Sequence, residues 1–159
     1  MYEQVMTLAI QVALVSCFLG GSPQDEAAIR QTTEAFFDAW NRHDISALVS
    51  HWAEDATIIN PDGRIAHGRK ELKQLFAEAR AASPGTSEHL SHIAARFLSP
   101  DLAWVDVDLL IRAADAPDTP FHLVGLVQKK GTAWLWAEGR PYAFMRPVAG
   151  AGDGGTLGK

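Results

Sequence analysis

The sequence contains a single cysteine, Cys17, in 159 residues. One thiol excludes a disulfide framework and a thiolate metal cage. No Lys/Arg run exceeds two residues, and 14 basic against 19 acidic side chains leave a formal net charge of −5. That balance argues against a nucleic-acid partner. There is no HxxxH or HExxH pair, no Gly-rich phosphate loop between a strand and a helix, and no Gly-x-Ser-x-Gly elbow. His89 and His92 lie three apart on an expected strand, so simple alternation puts them on opposite faces, a poor spacing for a shared metal. No metal and no cofactor is therefore expected. No internal repeat is visible. The length is that of one domain, large enough to bury a core without disulfides or a metal.

The two ends differ from the middle. Residues 5 to 20 are almost uncharged, too short and interrupted for a membrane span of about 20 apolar residues. They fit the apolar core of a secretory signal better, although residues 1 to 4 carry no positive charge. Leu14-Val15-Ser16-Cys17 resembles a bacterial lipobox, and a membrane partner is expected only if Cys17 is lipidated. An extra helical turn packed on the body, with Cys17 a plain small hydrophobe, is the alternative. Export, periplasmic or lipid-anchored, is favoured over a cytoplasmic location. Residues 147 to 159 hold five glycines and no aromatic residue, and are expected to be disordered. The division is a leader at 1–21, a domain at 22–146 and a tail at 147–159.

Within the domain, Ser22-Pro23-Gln24-Asp25 reads as a helix start. Ile29, Thr33, Phe36, Phe37 and Trp40 then share a helical face that ends near His43. Asp44 caps a short second helix through Trp52. Ala56 to Asn60 reads as a strand, Pro61-Asp62-Gly63 as a turn, and Arg69 to Ala82 as a third helix. The period then changes. His89–Leu98, Ala103–Arg112, Phe121–Lys129 and Ala133–Phe144 read as four strands, with a tight turn at Lys130-Gly131 and a loop over Ala114–Pro120. Three helices followed by an antiparallel sheet is an α+β pattern.

This order, with Ala39-Trp-Asn-Arg-His-Asp-Ile-Ser-Ala-Leu, His51-Trp-Ala-Glu-Asp-Ala-Thr-Ile-Ile-Asn-Pro-Asp-Gly, Gly68-Arg-Lys-Glu-Leu, and Gly131 followed by Trp134, resembles the nuclear transport factor 2-like superfamily. Within it the chain is most similar to SnoaL-like proteins and their SgcJ/EcaC-type relatives, over about Gln24 to Phe144. The resemblance implies a cone-shaped α+β barrel, three N-terminal helices packed on a curled, mostly antiparallel sheet, with a pocket at one end. It implies a small hydrophobic or aromatic ligand and a homodimer through the outer face of the sheet. Superfamily members include isomerases, cyclases, dehydratases, hydrolases and binding domains, so fold alone does not fix the activity. Beside the ketosteroid isomerases of the superfamily, Asn60 takes the place of the base, Phe36 that of a tyrosine donor, and Gly125 that of a protonated acid. The usual ketosteroid isomerase mechanism is thereby excluded.

Two strands offer other chemistry. Trp104, Asp106, Asp108 and Arg112 alternate with Val105, Val107, Leu109 and Ile111; Trp134, Trp136, Glu138 and Arg140 alternate with Ala133, Leu135, Ala137 and Gly139. Either the apolar face meets the helices, or the mixed face lines the cone and the apolar face pairs with a second subunit. The resemblance and the paired tryptophans favour the second arrangement. On that reading Asp106, Glu138 and His67 are the candidate catalytic groups. Phe36, Trp40, Trp52, Asn60, Trp104, Gly125, Trp136 and Arg140 are the candidate ligand contacts. Phe36, Phe37, Trp40 and Trp52 are otherwise core residues, and an acid–arginine pair that only holds strands together is the competing account. The function expected is small-molecule binding in the pocket, with cofactor-free acid–base chemistry of the isomerase, cyclase or dehydratase type; a non-catalytic binding or oligomerisation module is the alternative.

Overall fold

Ser22 opens the first helix as the sequence chemistry requires: its hydroxyl oxygen accepts from the backbone N–H of Asp25 at 3.1 Å, with Pro23 in the first turn. The structure, a computed structural model, describes residues 21–143. The expected tail, Phe144, and the expected leader apart from Gly21 lie outside the described residues. Helix α1 spans Pro23–Asn41, α2 Ile45–Ser50 and α3 Gly68–Ala82. The strands are β1 Trp52–Ile59, β2 Ile65–His67, β3 Thr86–Ser99, β4 Leu102–Ala113, β5 Ala116–Lys130 and β6 Ala133–Ala143. They form one sheet in the order β2-β1-β6-β5-β4-β3; β1 runs parallel to β6 and every other pairing is antiparallel. The architecture is α+β and cone-shaped, with β2 and β3 left as edges so that the sheet does not close.

The first turn of α1 is tied to the far end of the sheet. The Asp25 carboxylate accepts from Lys129 Nζ at 2.6 Å and from the Trp134 indole at 3.0 Å. These bonds, with Ser22, hold its carboxyl well below the usual carboxylate range. Helix α1 ends in a Schellman arrangement: the Asp44 N–H reaches the Ala39 carbonyl and the His43 N–H reaches that of Trp40. His43 occupies the left-handed position, φ 61°, where glycine is the usual residue. Asp44 then caps α2 by accepting from the Ala47 N–H.

Several expectations are corrected by the sheet. Val105, Val107 and Leu109 are buried under the helices, at 2% exposure or less, while Trp104, Asp106 and Asp108 take the outer face. The apolar face of β4 is therefore the core of the chain itself, and Val105, Val107 and Leu109 are not available for subunit pairing. In β6 the alternation breaks. Leu126 pairs with Glu138 but Val127 with Trp136, so Ala137 is the extra residue of a β-bulge. Trp134 and Trp136 consequently point into the core, whereas Glu138 and Arg140 point outward. A second bulge at Ser91 puts His89 and His92 on the same outer face, opposite Leu110 and Asp108. Strand β1 begins at Trp52 rather than Ala56, β2 lies between the expected turn and the third helix, where no element was expected, and β5 begins at Ala116 within the expected loop.

Candidate functional site

A cavity of about 270 Å³ lies between α1, α3 and the inner face of the sheet. Its walls are mainly aromatic. Phe36 and Trp40 come from α1, Trp52 from the start of β1 and Phe76 from α3. Phe36 meets Trp52 and Phe76 at ring-centroid distances of 5.9 Å, both edge-on. Trp40 meets Phe76 at 6.2 Å, perpendicular. Such edge-to-face contacts fix the ring orientations and leave a rigid wall. Gly139 makes the wall possible, because a Cβ there would stand 2.5 Å from the Trp52 ring.

Three lining residues carry polar side chains: Asn60, Ser83 and Glu88. The Asn60 carboxamide follows β1, where its own backbone closes the turn with Gly63 and Arg64. Glu88 sits near the start of β3 and is held through its backbone. Asn41 accepts from the Glu88 N–H at 2.8 Å and donates to the Glu88 carbonyl at 2.7 Å. The Glu88 side chain faces the cavity and makes no hydrogen bond among the described residues. Burial pushes its carboxyl up to about 7, with the positive charge of Arg80 acting in the opposite sense. Glu88 is the one titratable side chain among the lining residues. The buried indole N–H groups of Trp40 and Trp52 also lack hydrogen-bond partners among the described residues.

Of the residues expected at the site, Phe36, Trp40, Trp52 and Asn60 line this cavity. The others do not. Trp136 is fully buried behind Trp52, their rings 5.9 Å apart. Gly125 lies where β5 passes the bulge of β6; a Cβ there would fall 1.9 Å from the Glu138 carbonyl oxygen, so its role is backbone clearance. His67 stands at the N-cap position of α3 without a side-chain capping bond, is exposed, and pairs its Nδ1 with Thr57 Oγ1 at 2.9 Å. Arg140 donates to Glu138 at 2.8 Å on the outer face, each about 40% exposed. Asp106 and Asp108 flank His122 on that same face, at 3.4 and 2.5 Å. Trp104 lies on this outer face as well. Among the described residues no cluster of His, Cys, Asp and Glu could hold a metal ion, and no helix is long and apolar enough to cross a membrane.

The sequence profile of the SnoaL-like domain matches residues 33–145. The chain belongs to the SnoaL-like domain family. No curated protein matches it. Among solved structures this SnoaL-like chain is similar to a nuclear transport factor 2-like protein of unknown function from Pseudomonas putida. That pair has 16% identity and a TM-score of 0.72, over 82% of this chain and 94% of the other. It is similar to a provisionally named scytalone dehydratase from Novosphingobium aromaticivorans at 21% identity and a TM-score of 0.67, over 76% and 85%. A ketosteroid isomerase-like protein from Erwinia carotovora matches at 21% identity and a TM-score of 0.60, over 76% and 96%. At such identities the likeness is one of fold.

The SnoaL-like frame leaves Glu88 as the residue that sequence reasoning missed. Counted back from Phe97, Ala95 and Ile93, strict alternation makes Ser91 and His89 the inward residues. The bulge at Ser91 shifts the phase, so Leu90 and Glu88 face inward instead. A bulge of this kind leaves no mark in the sequence around it.

Proposed function

We propose that the chain binds a small, mostly apolar ring compound in the cavity and that Glu88 exchanges a proton with it. The observation that carries this reading is a carboxyl without a hydrogen bond, set in an aromatic-walled cavity and raised to about 7. A group poised near neutrality can take a proton and return it at physiological pH. The volume, about 270 Å³, lies just below the usual range for ligand pockets and suits a ligand of one or two rings. The ligand's polar atoms are expected to be carbonyl or hydroxyl oxygens, because protonated Glu88 and Asn60 offer donors and no cation lines the walls. With a ketone, ionised Glu88 would take a proton from the carbon beside the carbonyl and return it to that position or to a conjugated one. Structural neighbours named as a dehydratase and an isomerase-like protein are consistent with such chemistry.

The test uses tryptophan fluorescence and NMR. Aromatic and alicyclic ketones are titrated against the protein, with Trp40 and Trp52 as reporters, and hydrogen–deuterium exchange beside the carbonyl is followed. Glu88→Gln is expected to keep binding and to lose exchange. If no such compound binds, the reading is wrong. Binding with equal exchange in both proteins removes Glu88 from the chemistry. A purely binding role is favoured by one observation, that a single titratable group lines the cavity; saturable binding without exchange in the parent would establish it.

A further inference from the structure

We propose that Arg80 is the positioning residue for Glu88: a buried guanidinium, locked behind the cavity wall by His43, Trp40 and Thr86, whose charge keeps the Glu88 carboxyl able to work in both protonation states. This rests on the reading of Glu88 as the proton-exchanging group.

Arg80 lies in the last turn of α3 and is 4% exposed. Its partners are all neutral acceptors. Nη2 donates to His43 Nε2 at 2.7 Å and to the Thr86 carbonyl at 3.3 Å, and Nη1 donates to Thr86 Oγ1 at 3.2 Å. The guanidinium carbon stands 5.1 Å from the centre of the Trp40 ring, a cation–π contact. Its Nε is buried without a partner among the described residues. None of the ion pairs among the described residues includes Arg80. A buried cation without a carboxylate partner is costly, and neutral side chains would fill the site at lower cost.

His43 repeats the argument. An arginine can only donate, so the Nε2 facing it carries no proton. This imidazole is held at a left-handed position that glycine would occupy without strain. Two unfavourable choices, a buried cation with no carboxylate partner among the described residues and a strained histidine, meet at Thr86, two residues before Glu88. Arg80 is bonded to Thr86, two residues before Glu88 and on the same side of β3, and its positive charge opposes the effect of burial on the Glu88 carboxyl. Along the rest of the cavity wall, α1 supplies Trp40, β4 supplies Leu109 and Ile111, and β5 supplies Phe121 and Leu123, none of them titratable. Without the cation, burial alone would hold the Glu88 proton to higher pH, and a smaller share of the carboxyl would be ionised and able to accept a proton at neutrality.

The experiment follows the Glu88 carboxyl carbon by NMR as pH is varied, on the full chain without ligand. Arg80→Gln is expected to raise the titration midpoint by about 1 pH unit or more. Arg80→Lys keeps the charge and is expected to hold the midpoint near that of the parent while lowering the melting temperature. A folded Arg80→Gln with an unchanged midpoint, or an Arg80→Lys that shifts as far as Arg80→Gln, overturns the proposal and leaves Arg80 a structural residue. Should Arg80→Gln not fold, Arg80→Met carries the test. It removes the charge and keeps an apolar stem in the buried site, so the midpoint is expected to rise, and an unmoved midpoint overturns the assignment. The titration needs no substrate. A midpoint that responds to Arg80 in a protein that binds none of the ketones rejects the proposed function and keeps this assignment.

Discussion

Glu88 and Asp25 are two carboxylates pulled in opposite directions by their surroundings. Glu88 has apolar walls and no hydrogen bond; Asp25 has three donors. Their effects on stability are therefore opposite in sign. The Glu88 proton is held more tightly in the folded chain, so its favourable term is fully present below 4.5 and is lost as pH rises through about 7. Glu88→Gln is expected to match the parent near pH 4 and to become the more stable protein above pH 7, by on the order of 3 kcal/mol. Thermal melts at the two pH values check this; a constant difference between the proteins would refute it. Asp25, held in its charged form, contributes stability above its ordinary value of 3.8 that is lost as pH falls further. Asp25→Asn is expected to lower the urea midpoint at pH 7, with the gap to the parent closing in acid.

At the scale of elements, the two bulges decide which side chains meet. The helices were legible because their signals are local: Ser22, Pro23 and Asp44 act on the turn that follows them. The last four strands, β3 to β6, were legible from their change of period. What stayed hidden was phase. Ala137 and Ser91 each add one residue and reverse the alternation beyond them, which moved Glu138 and Arg140 out of the site and Glu88 into it. Phe36, Trp40, Trp52 and Asn60, which line the cavity, come from α1 and from the two ends of β1, ahead of Ser91 and Ala137 in the chain. Gly125 is the partner of the β6 bulge, so Gly125→Ala should force β5 and β6 apart at a cost of ~1–3 kcal/mol or more. Denaturant unfolding measures that loss; an unchanged midpoint would mean that the bulge can relax. Trp136→Ala is expected to cost ~3–5 kcal/mol as a core truncation. Because Trp136 stands behind the wall, ligand affinity per folded molecule should survive, as fluorescence titration of the variant can show.

For the whole molecule, the reversal of the sheet faces relocates any contact between copies. We propose that two copies pair through the outer face, where Arg96 and Arg140 share a surface with Asp106, Asp108 and Glu138. A two-fold axis there would set unlike charges opposite one another, with Trp104 as the apolar centre. Sedimentation at micromolar concentration is expected to show a dimer for the parent and a monomer for Trp104→Glu; a monomeric parent would reject it. The parallel pairing of β1 with β6 carries a different consequence, one of timing. Trp52 lies beside Trp136, and Thr57 beside Glu138, so the second half of the sheet docks onto the first only through the last strand. During synthesis α1, α2 and β1 leave the ribosome long before any partner for β1's inner edge exists. Phe36 and Phe76 can cover one side of Trp52 early, but the side that meets Trp136 stays uncovered until residues 133–143 emerge, which makes closure of β1 onto β6 a late step and leaves the nascent chain most exposed to chaperones before it.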